Sequence, residues 1–272
     1  MSPLCRLPIT MLVLLAFVAA TTAAHGASAG GVAFGPHGEI FIADTANHCV
    51  RWFTAFGKTV GSLGEPIRRG PMARERDRRG VLDSPRSVAV YENQIYVGCG
   101  EGKLVCGVQR YDLDGEVQAP LRSQGEADCR FGAPRGMYAD ADGLLVADTL
   151  HGVIQRFDPT GRFIAQFETA VEADVVSRPI AVARMPGGRV LVIDAGDRPG
   201  LMCFGPDGKP GSLRPEWRSH LDHAVDLAMD LRGNVYVSDR DGERVQRFAP
   251  DLAFDSTLVD VGSLIRDDLL DL

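Results

Sequence analysis

A short phrase returns three times along this chain. It runs Ile40-Phe41-Ile42-Ala43-Asp44 and on to Phe53, then Leu144 to Phe157, then Val235 to Phe248. Each time an apolar triplet meets an aspartate, and an aromatic closes the phrase at the same spacing. Self-similarity of this kind is the signature of a repeat architecture, in which each unit buries its apolar face only against its neighbours. The repeat therefore constrains the fold before any single residue does.

Five segments superimpose on the phrase. They open with Gly31-Val32-Ala33-Phe34, Ser87-Val88-Ala89-Val90, Gly136-Met137-Tyr138-Ala139, Ala181-Val182-Ala183-Arg184 and Asp226-Leu227-Ala228-Met229. The openings recur at intervals of about 45 to 56 residues, which fits a four-stranded propeller blade. A polar turn follows each opening, as in Pro36-His37-Gly38 and Pro186-Gly187-Gly188. In the second segment Tyr91-Glu92-Asn93 stands there, and Asn93 is the expected residue of positive φ. Short second strands come next, such as Ile95-Tyr96-Val97 and Val190-Leu191-Val192-Ile193, with the β-branched and aromatic content of strands buried between sheets. Third strands end on an aromatic, as in Val108 to Tyr111, Ile154 to Phe157 and Val245 to Phe248. The fourth strands vary, as exposed edges do.

Asp44, Asp148, Asp194 and Asp239 end the second strand in four segments, and Cys99 takes that slot in the second. A carboxylate there is suited to accept backbone N–H groups across the tight connection to the third strand, so these aspartates are read as structural turn residues.

This succession of Gly/Pro lead-in, apolar strand, strand-ending Asp and Arg-x-Phe resembles the NHL-repeat family of β-propellers, over residues 30 to about 260. The resemblance implies an all-β fold, a β-propeller of NHL type with five recognisable four-stranded blades. Stretches Gly61–Asp83 and Gly125–Ala133 read as the linkers between blades. NHL propellers typically have six blades. The ring is thus either five-bladed or an incomplete six-bladed one.

Residues 1–29 read as a separate unit. Arg6 precedes an apolar run from Ile9 to Ala20, and Ala27-Ser28-Ala29 supplies small residues for cleavage, the layout of a secretory signal peptide. The run is too short for a membrane span, which needs about 20 residues. The propeller occupies 30–262, and 263–272 forms a tail. The expected location is secreted, periplasmic or extracellular, with no membrane span after cleavage. The chain carries 29 Lys+Arg against 36 Asp+Glu, a net charge of −7, and loss of Arg6 makes it more acidic. Such a surface repels nucleic acid. Of the cysteines, Cys99 and Cys106 flank a glycine-rich stretch and form the best local disulfide pair. The alternative is that the cysteines are buried small hydrophobes.

Ligands of propellers bind where first strands begin, so the lead-in residues are the ones to inspect. Arg86 and Arg135 hold the same phase in adjacent segments, and paired guanidinium groups suit a carboxylate or phosphate. Their alternative is to bond neighbouring loop carbonyls. In the amidating lyases that resemble this family, histidines directly after the lead-in proline hold a metal. Here Gly30, Arg86, Arg135, Ile180 and Val225 stand at those positions, and no metal or other cofactor is implied. Calcium-dependent lactonase propellers need several axial oxygen ligands, and Asp226 is the only carboxylate in an opening strand. No catalytic residue is assigned.

One basic cluster exists, Arg68, Arg69, Arg74, Arg76, Arg78 and Arg79, in the longest linker. It reads as a solvated loop or as a docking loop for an acidic partner. The expected function is capture of a protein, peptide or glycan. The alternative is a propeller hydrolase or lyase, of calcium-dependent lactonase or peptidyl-hydroxyglycine lyase type.

Overall fold

The computed structural model describes residues 29–64, 80–100, 107–119, 121, 131–170, 172, 174–211, 220–230, 232–240 and 244–260. All regular structure among them is β, in five antiparallel sheets. The first blade holds β1 (Ala29–Phe34), β2 (Ile40–Asp44), β3 (Cys49–Phe53) and β4 (Thr59–Leu63). The second holds β5 (Pro85–Tyr91), β6 (Gln94–Cys99), β7 (Gly107–Tyr111) and β8 (Val117–Gln118). The third holds β9 (Pro134–Asp140), β10 (Gly143–Asp148), β11 (Val153–Phe157) and β12 (Phe163–Glu168). In the fourth, β13 (Pro179–Arg184), β14 (Val190–Asp194) and β15 (Gly200–Phe204) are followed by a single bridge between Phe204 and Pro210. The fifth holds β16 (Ala224–Met229), β17 (Val235–Asp239), β18 (Arg244–Phe248) and β19 (Phe254–Asp260). Every sheet follows chain order, so each is one blade of a β-propeller fold.

Burial explains the sequence pattern strand by strand. Every residue of β10 and β14 is buried, because a second strand has a sheet neighbour on both sides and a stacked blade on its faces. The outer β12 instead alternates half-buried and exposed residues, and Ile164 faces out at 52% exposure. β4 begins at Thr59, so Gly61 to Leu63 belongs to the first blade and the linker starts at Gly64.

The chain divides into two compact units. One comprises residues 1–151 and 155–165, the other 152–154 and 166–272, so the division falls within the third blade. In the first unit β1 lies against β5, and β5 against β9. Phe41, Val50, Leu82, Val88, Ile95 and Tyr111 fill the space between the first two blades, where Phe41 also stacks on Trp52 at 5.3 Å. Ala89, Tyr96, Val108, Leu144, Val146 and Phe157 fill the space between the second and third. In the second unit β13 lies against β16, over Leu191, Ile193, Val235, Val237 and Phe248. Each such buried side chain contributes about 1.5–3 kcal/mol. An exposed ion pair such as Lys209–Asp207 contributes about 0–1 kcal/mol, so stacking holds the blades.

Strands meet at tight turns at one end of each blade. In the third, Gly161 N–H donates to Asp158 O at 2.9 Å with Gly161 at φ 87, while Asp158 Oδ1 accepts from the Thr160 and Arg162 amides. In the β5–β6 turn the residue of positive φ is Glu92, at φ 47, and not Asn93. Asn93 instead spends its side chain as an acceptor for Leu113 N–H at 3.1 Å, tying one turn to the next.

Candidate binding site at the lead-in ends

Antiparallel order sends the start of the first strand, the end of the second and the start of the third to the same end of each blade. The opposite end carries the tight turns. The described residues leading into β5, β9, β13 and β16 therefore share an end with the ends of the second strands and the starts of the third.

Three of the four strand-ending aspartates reach the lead-in loop of their own blade. Fully buried Asp148 accepts from Gly132 N–H at 2.9 Å, Ala133 N–H at 3.0 Å, Gln155 Nε2 at 3.1 Å and pairs with His151 Nδ1 at 2.8 Å. Asp194 accepts from Arg178 N–H at 3.0 Å, from Gly196 N–H at 2.7 Å and from the Ser177 hydroxyl. Asp239 accepts from Asp222 N–H at 3.0 Å, His223 N–H at 2.6 Å and Arg244 Nε at 3.1 Å. Asp44 stays local, accepting from Asn47 N–H at 3.1 Å and Arg51 Nε at 2.7 Å. Burial alone would raise the Asp44 carboxyl, but the hydrogen bonds from Asn47 and Arg51 together outweigh it and hold it below the usual carboxylate range.

Cys99 ends β6 where the other blades have a carboxylate, and it is buried opposite Pro85 and Gly107. His48, from the preceding blade, does the work of the missing aspartate. Its Nδ1 accepts the Ser84 N–H at 3.0 Å, and Ser84 stands just before Pro85 as Ala133 stands before Pro134. Asp83 is buried behind it, with Oδ1 3.5 Å from His48 Nδ1. The sequence carries no signal for this contact, because the partners lie in different blades.

A second feature escapes sequence reading. Each first strand is interrupted in its pairing with the second, by one residue in four strands and by two in β1. Pro85 pairs with Cys99 and Ser87 with Gly98, leaving out Arg86. Pro134 pairs with Asp148 and Gly136 with Ala147, leaving out Arg135. The same skip leaves out Ile180 and Val225, and in β1 it leaves out Gly30 and Gly31. These are β-bulges, which release a residue from the ladder and re-aim its side chain. Arg86 is half-buried and Arg135 exposed, and both interact within the chain.

The structure brings Arg86 and Arg135 onto adjacent strands. Ser87 Oγ donates to Pro134 O at 2.7 Å, so the residue beside Arg86 is bonded to the residue beside Arg135. Cys106 and Arg68, Arg69, Arg74, Arg76, Arg78 and Arg79 lie outside the described residues.

Two further sites test for chemistry. In the second unit, Thr169, Ser177, Asp194 and Met202 line a small cleft, with Glu172 and Arg198 paired at its rim. Ser177 donates to Asp194 and lies 2.5 Å from Thr169 Oγ1, with no imidazole in the lining to activate it. Asp226, just past the bulge in β16, is exposed to solvent, yet the protein crowded around it pushes its carboxyl up to about 6 against a single N–H from Leu227 at 2.9 Å. Among the described residues no group of three or more His, Cys, Asp or Glu is arranged to hold a metal ion.

Comparison with known proteins decides the family. Residues 27–53 match the NHL repeat model. An NHL-repeat-containing protein 4 of Mus musculus is 30% identical over 119 residues, 42% of this chain and 84% of that protein. The chain belongs to the NHL-repeat family. NHL repeat-containing protein 3 of Homo sapiens is 24% identical over 230 residues, 78% of this chain, and the match spans 63% of the human protein's length. Among solved structures, a chain of a nidogen/laminin complex superimposes with TM-score 0.60 at 17% identity, over 85% of this chain and 80% of the other. A virginiamycin B lyase from Staphylococcus aureus follows with TM-score 0.56 at 14% identity, over 78% and 63%. So does a protein described as a gluconolactonase, with TM-score 0.55 at 16% identity, over 79% and 72%. These likenesses speak to the NHL propeller fold, which serves binding and catalytic proteins alike.

Proposed function

We propose that this NHL-repeat protein is an exported binding module that captures a protein, peptide or glycan at the lead-in ends of its blades. The recurring bulge carries the reading. It frees one residue in four first strands and two in β1 at a common level, and those residues are glycine, arginine, isoleucine or valine according to the blade. Variation at one end of a rigid scaffold is how loops acquire recognition. The nidogen/laminin likeness agrees in kind, since that propeller is found with a protein partner.

A face-specific variant pair tests it. Peptides selected on the wild-type protein from a displayed random library should lose binding with Ala46→Trp, in the β2–β3 connection at the lead-in end. They should keep it with Lys58→Trp, in the turn at the other end. Equal loss in both variants, or in neither, refutes the reading. Intact mass of protein produced with its own leader should correspond to a chain starting at Gly30 or His25.

The lyase and lactonase likenesses, with the Asp226 carboxyl near neutrality, favour a second reading, a propeller hydrolase or lyase using Asp226 to exchange a proton. Stoichiometric zinc or calcium in the purified protein, or turnover abolished by Asp226→Asn, would favour it over the binding module.

A further inference from the structure

Three of the four strand-ending aspartates meet a basic side chain. Arg51 Nε donates to Asp44 at 2.7 Å, His151 Nδ1 lies 2.8 Å from Asp148, and Arg244 Nε donates to Asp239 at 3.1 Å. Asp194 is the exception. It is 3% exposed and accepts from the Arg178 and Gly196 amides and the Ser177 hydroxyl, with no cationic side chain against it among the described residues. The third strand accounts for the difference. Arg244 stands directly opposite Asp239, and the fourth blade has Gly200 at that place, opposite Asp194. The third residue of the strand is Arg51 in the first blade and Gln155 in the third, which gives its amide to Asp148 at 3.1 Å. In the fourth blade it is Met202, which has nothing to donate. Arg198, in the β14–β15 connection, pairs with Glu172, and Arg178 gives Asp194 only its backbone N–H.

The missing donors coincide with the cleft beside Asp194. Ala170, Val175 and Met202 supply its apolar lining, and Asp194, Ser177 and fully buried Thr169 its oxygens. Ser177 spends its one hydroxyl proton on Asp194, so its oxygen can otherwise only accept. A carboxylate offers roughly four lone-pair sites, and the bonds to Asp194 leave one of them open.

We propose that this cleft binds a primary ammonium group, the side chain of a lysine in a captured peptide. This rests on the reading of the lead-in end as the binding end and names the group taken there. An ammonium has three donors and no acceptor, which suits oxygens that can only accept, beneath a rim whose cation, Arg198, is neutralised by Glu172. The alkyl stem of lysine covers the apolar lining while its charge meets a buried carboxylate that lacks a counter-charge. The chain's net charge of −7 draws cationic segments towards it.

Fluorescence anisotropy with a labelled, end-blocked pentapeptide carrying one central lysine among alanines, and its norleucine counterpart, tests this. The lysine peptide should bind saturably, and the norleucine peptide, which keeps the stem and loses the charge, roughly tenfold more weakly. Met202→Gln installs the residue of the third blade and supplies Asp194 with an amide donor. It should weaken the lysine peptide roughly tenfold while the melting temperature stays that of the wild type. Should that variant fail to fold, Met202→Arg, which copies Arg51, should weaken it as much. Equal binding of the two peptides, or wild-type affinity in the folded variants, overturns the proposal. So does calcium chloride alone raising the melting temperature of the wild type but not of Met202→Gln, which would make the oxygens a metal site. If library-selected peptides are lost with Ala46→Trp but ignore Met202→Gln, the ammonium site fails and the binding end stands. If they ignore both, the binding end fails too.

Discussion

His48 shows how one residue restores a contact that the repeat has lost. Three blades hold the amide before their first strand on an aspartate, and in the second blade Cys99 cannot, so Nδ1 of His48 accepts the Ser84 N–H instead. His48→Ala leaves that half-buried amide without its acceptor. The expected loss is about 1–2 kcal/mol, read as a lower urea midpoint and faster hydrogen exchange at Ser84. Asp226 is the residue where pH enters. Its carboxyl is pushed up to about 6 in the fold against 3.8 for an ordinary aspartate, so the folded state binds the proton more tightly than the unfolded chain. The stabilisation from that proton is present below about pH 4 and lost as pH rises through about 6. Asp226→Asn should therefore raise the urea midpoint at pH 8 and leave it unchanged near pH 4, and an equal gain at both pH values would show that the surrounding protein does not disfavour the charged carboxyl. At this scale the sequence singled out Asp226 as the one opening-strand carboxylate. It was silent on the titration, which depends on what surrounds the group.

At the level of strands, most of the architecture was legible. Period, apolar triplets and closing aromatics marked first, second and third strands, because stacking blades bury those positions regardless of partner. The bulges were not legible. A bulge is a property of pairing between two strands, and Pro85-Arg86-Ser87 reads as uninterrupted strand in isolation. Nor was it visible that Asn93 would act through its side chain while Glu92 took the positive φ. Gly98 provides the test of the strand-to-strand fit. With Gly98→Ala, the new methyl collides with the Ser87 hydroxyl and presses on the Pro134 carbonyl. The variant should lose about 1–3 kcal/mol in urea unfolding and release the β5–β9 link beneath the arginines. Unchanged stability would mean that the two strands are not so closely joined.

Along each blade the two ends differ: one carries the tight hydrogen-bonded turns, the other the lead-in loops and the bulges. What the sequence determined by itself was the class of fold, because burial between stacked sheets demands the same apolar spacing in every blade and that demand is written locally, residue by residue. It also supplied the two arginines as equivalent positions. Only the tertiary structure decided that those arginines are freed from their ladders, that a serine hydroxyl ties their strands, and that a histidine replaces a missing aspartate. The physical reason is range: apolar periodicity is enforced within a strand of about five residues, whereas a bulge, a shared hydrogen bond or a raised carboxyl is set by atoms from strands tens of residues apart.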